Sequence, residues 1–143
     1  MAGKSLNKRE FEALSHFRYQ LRRFLRFSEE ITRAHGVTHL QYLLLLHIRG
    51  YPGREWATVG ELAERLQAHH HGVVSLVSRC EKLNLVTRKQ STADRREVEV
   101  HLTAKGLKTI DQLARLHRDE LLKLQGIFRV PGSSEFVGDK PAE

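Results

Sequence analysis

Residues 58–106 read TVGELAERLQAHHHGVVSLVSRCEKLNLVTRKQSTADRREVEVHLTAKG, and the hydrophobic period changes within this stretch. Up to Leu83 the apolar residues recur every three or four positions, which is the spacing of one helix face. From Val98 to Leu102 apolar and polar residues alternate, which is the repeat of a half-buried strand. The pattern therefore predicts helices followed by extended structure.

The first helix of this unit begins at Thr58, where the sequence has the Ser/Thr-x-x-Glu pattern of a capping box that ends at Glu61. A tight turn is predicted at residues 67–69, and a second helix from about His70 to Leu83. Two short helices joined by a tight turn form a helix-turn-helix. The apolar residues of the second helix are predicted to be buried: Val73, Leu76, Val77, Cys80 and Leu83.

A β-hairpin is predicted directly after the second helix. Residues 85–90 are expected to pair antiparallel with residues 98–102, because residues 91–94 between them are of the types that favour turns. A hairpin in this position is the wing of a winged helix-turn-helix.

Long helices are predicted on both sides of this unit. Apolar residues recur at helical spacing over residues 7–34, a second capping pattern begins a helix over residues 38–46, and Thr103 caps a last helix with apolar residues up to Leu124. Residues 126–143 are rich in Gly, Pro, Ser and charge, which predicts a loose or irregular tail. The expected fold class is α+β and mainly helical.

The charge of the chain favours a polyanionic partner. Its 143 residues include 24 Lys and Arg against 17 Asp and Glu, a formal net charge of +7, which suits nucleic acid or an anionic membrane surface. The longest apolar run, residues 43–46, is far shorter than the ~20 residues that a membrane-spanning helix needs. No apolar signal segment opens the sequence, and the single Cys80 fits a reducing compartment. A cytoplasmic protein without membrane contact is expected.

The second helix and the wing both present basic and small polar side chains, which can contact DNA. For the side chains of the second helix, the alternative is an ordinary solvated helix face. For the wing arginines, the alternative is protection of a strand edge by charge. Asp94 can pair with one of the adjacent arginines and hold it in a fixed direction. The candidate DNA-binding residues are His70, His71, Ser75, Ser78, Arg79, Lys82, Arg88, Asp94, Arg95 and Arg96.

Three segments of residues 58–106 resemble the MarR family of bacterial transcription regulators. They match V-x-E-L-A-x-x-L, V-S-L-V-x-R-x-E-x-x-x-L-V-x-R and D-R-R-x-V-x-V-x-L-T-x-K-G in unbroken register. The resemblance implies a winged helix-turn-helix homodimer with long, interlocking terminal helices. Residues 1–37 and 104–143 are then the dimerisation segments, the latter including the irregular tail, and residues 38–103 are the DNA-binding lobe.

The resemblance also implies how the dimer binds DNA. The second helix reads the major groove of an inverted-repeat operator, and the wing enters the flanking minor groove. Arg96 is then the residue inserted into the groove, Asp94 orients it, and Arg95 contacts phosphate or shares the insertion. Ser75, Ser78 and Arg79 fall on matching positions of the recognition helix. A repressor released by a small-molecule or other signal is expected.

The sequence departs from the family pattern in two places. Histidines 69–71 replace the small hydroxyl and acidic residues usual at the start of the recognition helix, and the chain after Gln125 is too short and Gly/Pro-rich for the long last helix of many members. Many members also bind a small aromatic effector in a crevice between the dimer region and the lobe. Its candidate lining residues, which fit the core equally well, are Phe17, Phe24, Tyr42 and Trp56.

Other functions have less support. Some family members sense zinc, and His35, His39 or His117 would then supply ligands, but the Cys and His spacing typical of structural zinc is missing, so no metal or other cofactor is expected. Without a Gly-rich phosphate loop or a Gly-x-Ser-x-Gly elbow, the chain is not expected to be an enzyme. Cys80 is expected to be a buried, inert thiol. A winged-helix module that docks an acidic protein partner is the remaining alternative.

Overall fold

The chain forms five helices and a three-stranded sheet over the residues that the computed structural model describes, Gly3 and 5–136. Within these residues, no helix is both long and apolar enough to cross a membrane. The predicted α+β, mainly helical class is confirmed. The elements in chain order are α1 (Lys8–Ala34), α2 (His39–Arg49), β1 (Trp56–Thr58), α3 (Val59–Leu66), α4 (His70–Lys82), β2 (Val86–Gln90), β3 (Val98–Leu102) and α5 (Ala104–Lys123).

Helix α2 lies at the centre of the core, because it contacts the other four helices and strands β1 and β3. Its side chains Leu44, Leu45 and Ile48 are completely buried. Burying one such side chain contributes about 1.5–3 kcal/mol, so this layer holds the surrounding elements together. The helix continues to Arg49, beyond the predicted end at residue 46, because Ile48 extends the buried face by almost one more turn.

Side-chain caps set the start of four helices. Thr38 and Thr58 each form the predicted capping box, in which the threonine hydroxyl accepts from a backbone N–H and the third helical residue accepts from the threonine N–H. Thr103 caps α5 through the Gly106 N–H at 3.0 Å. Asn7 forms a further box that the sequence patterns did not identify. Each such cap stabilises its helix by roughly 1 kcal/mol.

The sheet has the order β1-β3-β2, and all its strands are antiparallel. The predicted hairpin is confirmed, although its connection extends to Glu97 rather than ending at Asp94. Strand β1 was not predicted. It has only three residues, too few for alternation to be recognised, and its partner β3 is about forty residues away in sequence, with Trp56 opposite His101.

The prediction that Leu83 is buried is wrong, since it is 37% exposed. Helix α4 ends at Lys82, so Leu83 lies outside the regular helix, and Asn84, in a left-handed conformation with φ of 60°, turns the chain toward β2 directly after it. Asparagine tolerates this conformation better than most residues.

The tail after Gln125 is irregular, as predicted, and in its described part the Phe128 ring attaches it to α1. The chain turns at Gly126, which has φ of 80°, and the Phe128 ring stacks against Phe17 and Phe24 of α1 with centroids 5.9 and 6.1 Å away. Residues 137–143 of the predicted tail lie outside the described residues. The aromatic stacking attaches the tail to the first helix.

A buried histidine joins α1, α2 and α5. His117 donates from Nδ1 to the Leu113 carbonyl at 2.7 Å, its Nε2 lies 2.8 Å from the Ser28 hydroxyl, and its ring stacks on Tyr42 with centroids 4.3 Å apart. The Ser28 hydroxyl also lies 3.3 Å from Nδ1 of His39. Two of the histidines considered for zinc therefore meet at a hydroxyl, and the described residues contain no group of three His, Cys, Asp or Glu arranged to hold a metal.

The start of α5 crosses the turn between α4 and β2 at very short range. The Thr103 N–H donates to the Leu85 carbonyl at 3.0 Å, and the Thr103 hydroxyl donates to the Asn84 carbonyl at 2.6 Å. A Cβ atom added to Gly106 would lie 2.1 Å from the Leu85 carbonyl oxygen. Only glycine permits this approach of one backbone to another.

Gly106→Ala is expected to lower the free energy of unfolding by about 1–3 kcal/mol, because the methyl group forces α5 away from Leu85. Gly72→Ala is the matched control, since Gly72 also occupies the third position of a helix but has no atom within 4 Å of an added Cβ. It is expected to raise stability by roughly 0.5–1 kcal/mol through helix propensity. Urea unfolding followed by circular dichroism measures both, and equal shifts in the two variants would contradict the close contact.

Candidate nucleic-acid interface

Helices α3 and α4 form the predicted helix-turn-helix. Gln67, in a left-handed conformation with φ of 51°, ends α3 and lets the chain turn into α4. The buried stripe of α4 faces the core as predicted, apart from Leu83, and the opposite face is open to solvent. The candidate residues that this open face exposes are His70, His71, Ser75, Arg79 and Lys82.

The N-terminus of α4 differs from those of the other helices. In the described part of the chain, it is the one helix whose N-cap side chain, here His69, makes no capping hydrogen bond. The His69 and His71 rings instead stack with centroids 5.9 Å apart. The first backbone N–H groups of α4 and the positive end of its dipole are therefore available to an anion such as a phosphate.

The wing turn holds Arg96 in a defined direction. Buried Ser91 accepts from the Asp94 N–H at 3.2 Å, and one oxygen of Asp94 accepts from the backbone N–H and from Nε of Arg96 at 3.0 and 3.3 Å. The predicted contact between Asp94 and Arg96 is thus present. The Arg96 side chain is 92% exposed, so its guanidinium is accessible to a ligand in solution.

Arg95 lies beside Arg96 and is also exposed. Its backbone carbonyl accepts a hydrogen bond from the Gln90 side chain, which fixes the main chain of the turn and leaves the guanidinium outside. Among the described residues no carboxylate pairs with it. The wing tip therefore carries two exposed cations, of which one is oriented by Asp94.

Two of the candidate residues bind each other. Arg88 of β2 donates from Nη2 to the Ser78 hydroxyl at 2.8 Å and from Nε to Glu81 at 2.7 Å. Sequence reasoning missed Glu81, the only acidic residue of α4. Its spacing of one helical turn from Ser78 was the available signal that both lie on one face.

A cleft of about 310 Å³ separates the start of α4 from the base of the wing. It brings together candidates that are distant in sequence, because His70, Arg88 and Arg96 all line it. Basic groups from the recognition helix and from the wing thus converge on one side of the lobe. Such convergence raises the local positive potential and attracts polyanions.

The four aromatic residues considered for an effector crevice do not form one group. Phe24 and Tyr42 both contact the His117 ring, and Phe17 joins Phe24 under the tail. Trp56 instead lies on β1, at the edge of the sheet. Tyr42 is 4% exposed and belongs to the core, whereas Phe17 and Phe24 are half-buried.

Cys80 has no exposed surface and lies on the core side of α4. Burial raises the pKa of its thiol to about 11, an effect that the neighbouring Arg79 opposes only in part. The thiolate is the reactive form of cysteine, so the thiol is protonated and unreactive near neutral pH. The expectation of a structural cysteine agrees with this environment.

Residues 35–97 match a family model described as the MarR family. The chain is also 32% identical over 71 residues to the HTH-type transcriptional repressor MdtR of Bacillus subtilis (strain 168). The matched region is 50% of this chain and 44% of that protein, so the chain spans less than half the length of this curated relative.

Solved structures share the fold over a larger part of the chain. AbsC, a MarR family transcriptional regulator from Streptomyces coelicolor, superimposes with a TM-score of 0.75 and 21% identity, covering 94% of this chain and 89% of that one. A MepR variant of S. aureus bound to an oligodeoxyribonucleotide gives a TM-score of 0.63 and 18% identity, covering 79% and 81%. These similarities extend the fold assignment beyond residues 35–97.

We expect a disulfide-based thiol reagent to modify Cys80 at pH 8 about a hundredfold more slowly in the native protein than in the guanidinium-unfolded chain. The reason is that raising the pKa from 9.0 to about 11 reduces the thiolate fraction, and burial further restricts access. Stopped-flow absorbance measures both rates, and Cys80→Ser provides the baseline. Comparable native and unfolded rates would show that the thiol is accessible.

Proposed function

The chain belongs to the MarR family, and from this premise we propose that it is a sequence-specific DNA-binding transcription regulator. In this proposal a homodimer binds an inverted-repeat operator, represses transcription by blocking the promoter, and is released by a small-molecule or other signal. The observation that carries the proposal is the placement of Arg96, held by Asp94 and exposed on the same side of the lobe as the start of α4.

The chemistry of the exposed face of α4 supports its insertion into DNA. The major groove is about 12 Å wide and admits one helix. Ser75 is small and polar and suits a base edge, whereas Arg79 and Lys82 are cations that suit guanine or phosphate. His70 and His71 lie in the first turn of α4, where they suit a backbone phosphate near the uncapped N–H groups. The MepR variant that shares this fold was solved bound to an oligodeoxyribonucleotide, which supports DNA as the partner.

The distribution of exposed apolar residues supports dimerisation through the terminal helices. Of the twelve large apolar side chains exposed in the described part of the chain, ten lie in or beside α1, in α5 or in the tail. A monomer rarely exposes such a concentration, and a second copy of the chain would cover it. These ten residues are Leu6, Phe11, Leu14, Tyr19, Leu107, Leu116, Leu121, Leu122, Ile127 and Val130.

A small aromatic effector would act at the aromatic residues between α1, α2 and α5. Phe17 and Phe24 are covered there by the Phe128 ring, so an aromatic ligand takes the place of that ring and displaces the tail from α1. Because α1 and the tail belong to the proposed dimer region, this displacement changes the spacing of the two lobes.

Selection of bound duplexes from a random library tests the proposal with the full-length protein. An inverted repeat is expected, with half-sites whose centres are about one helical turn, 34–36 Å, apart or a multiple of it. Analytical ultracentrifugation of the protein with and without the recovered duplex gives the stoichiometry. Recovery of no common sequence, or binding by a monomer, would refute the proposal and favour a protein-interaction module.

Arg96→Ala is expected to weaken binding to the selected duplex by about 1–3 kcal/mol, the range of a lost groove contact. Arg49→Ala is the control, because Arg49 pairs with Glu55 and is not among the candidate residues of the α4–wing face. Gel-shift titration at fixed salt measures both variants. If Arg96→Ala binds as tightly as the unmodified protein, the wing does not contact DNA through this residue.

A further inference from the structure

We propose that Arg88 is a positioning residue that fixes the wing against the recognition helix through Glu81 and Ser78, and does not itself contact DNA. The inference rests on the proposed function, and it divides the ten candidate residues into two groups. Ser78 and Arg88, together with Asp94 in the wing turn, hold the interface in shape, while the other seven candidates, all exposed, make the contacts.

The donors of Arg88 are directed at α4. Its Nε and Nη2 both lie 2.7 Å from one oxygen of Glu81, and Nη2 also donates to the Ser78 hydroxyl at 2.8 Å. The Arg88 and Glu81 side chains are 35% and 33% exposed, against 92% for Arg96. The pair is therefore partly desolvated, and the carboxylate cancels much of the charge that Arg88 would otherwise offer to a phosphate.

The Ser78 hydroxyl has no proton left for a base. A hydroxyl has one proton, and that of Ser78 is donated to the Val74 carbonyl at 3.1 Å. One of its lone pairs accepts from Arg88. Donation from this hydroxyl to a base would break its hydrogen bond to Val74, and its half-buried position on α4 also restricts access to a base.

Strand register explains why Arg88 reaches α4 and its neighbour Lys89 does not. Directly opposed residues of an antiparallel pair lie on the same face of a sheet. Arg88 is opposite the fully buried Val100, which places it on the face that packs on the helices, whereas Lys89 is opposite Glu99 on the other face. The sheet thus presents one guanidinium toward the recognition helix.

The contact of Arg88 with α4 lies where it affects the direction of the wing. The hairpin leaves α4 through the turn at residues 83–85, and Arg88 forms a second attachment to α4 within β2. Pairing of β3 with β1 holds the hairpin through its other strand, and Arg88 adds a side-chain attachment from β2 to the recognition helix. The Asp94–Arg96 turn lies beyond these attachments, so its direction relative to α4 depends on the Arg88 contact as well as on the strand pairing.

The charge-neutralising substitution Glu81→Gln distinguishes a phosphate-contact role of Arg88 from a positioning role, because the two roles predict opposite changes in DNA affinity. If Arg88 contacts phosphate, Glu81→Gln strengthens DNA binding, because it removes a negative charge from the interface and releases a cation. If Arg88 positions the wing, Glu81→Gln weakens specific binding although the interface becomes more positive. Opposite directions of change make the outcome unambiguous.

The experiment uses the full-length protein with two probes, the duplex recovered by selection and a random-sequence duplex of equal length. Glu81→Gln and Arg88→Met are each expected to weaken binding to the selected duplex about tenfold, and the double variant no more than either alone, as for residues that act as one unit. Binding to the random duplex is expected to change less than twofold. Its salt slope is expected to remain the same in Arg88→Met and to decrease by about 0.9 in Arg96→Ala.

Matched controls account for charge and for folding. Glu55→Gln breaks a surface pair with Arg49 that has the same 2.7 Å separation, and it is expected to leave both affinities unchanged. Ser78→Ala removes one acceptor of Arg88 without changing charge, and a loss of about threefold for the selected duplex only is expected. If the charge variants prove unfolded by circular dichroism, Arg88→Lys replaces them, because it keeps the charge that a phosphate contact needs and loses the fork of donors to Glu81 and Ser78. Weaker binding of Arg88→Lys to the selected duplex then supports the positioning role, and unchanged binding overturns it.

Each adverse result has a separate meaning. Tighter binding by Glu81→Gln, or a salt slope reduced in Arg88→Met as in Arg96→Ala, overturns the positioning role and makes Arg88 a phosphate contact. Additive losses in the double variant also overturn it. If the unmodified protein does not prefer any selected duplex, the proposed function itself fails, independently of Arg88.

Discussion

The close approach of Gly106 to the Leu85 carbonyl determines how the wing, the recognition helix and α5 lie relative to one another. Leu85 connects the end of α4 to β2, and the adjoining backbone accepts three hydrogen bonds from the first residues of α5, given by the Thr103 N–H, the Thr103 hydroxyl and Lys105 Nζ. Two backbones in contact leave no room for adjustment, because interiors are close-packed and do not deform continuously. A movement of α5 is therefore transmitted directly to the base of the wing.

The buried histidine at the other side of the lobe gives a second, polar connection. His117, Ser28 and His39 form a chain of hydrogen bonds between α5, α1 and α2. Such bonds are directional, so they favour one arrangement of the three helices over other apolar packings of similar energy. Together with the crossing at Leu85, they attach the proposed dimer region to the lobe at two separate points.

Arg88 and Arg96 differ in their ion pairs and in their exposure. This difference says more about their proposed roles than the net charge of the chain does. Arg88 is paired, partly desolvated and directed inward, whereas Arg96 is paired only at its base and is exposed. An exposed ion pair such as Asp94–Arg96 contributes little to stability, about 0–1 kcal/mol, but it restricts the direction of a long side chain. The candidate interface thus contains an exposed cation at the wing turn and a paired cation that joins the wing to α4.

The sequence by itself determined the elements whose signals are local. Capping boxes at Thr38 and Thr58, the period of α4 and the alternation of β3 involve residues within a few positions of each other. The two caps and the bounds of α4 and β3 were predicted nearly to the residue, whereas α2 ends three residues later than predicted. The contact between Asp94 and Arg96 is also local, since the two residues are two positions apart in one turn. Only the tertiary structure decided the remaining features: strand β1, the exposure of Leu83, the stacking of Phe128 on α1, and the engagement of Arg88 with Ser78 and Glu81. Each depends on which segments meet in space, as Ser28 and His117 do across 89 positions of sequence, and no periodic pattern of a single segment contains that information.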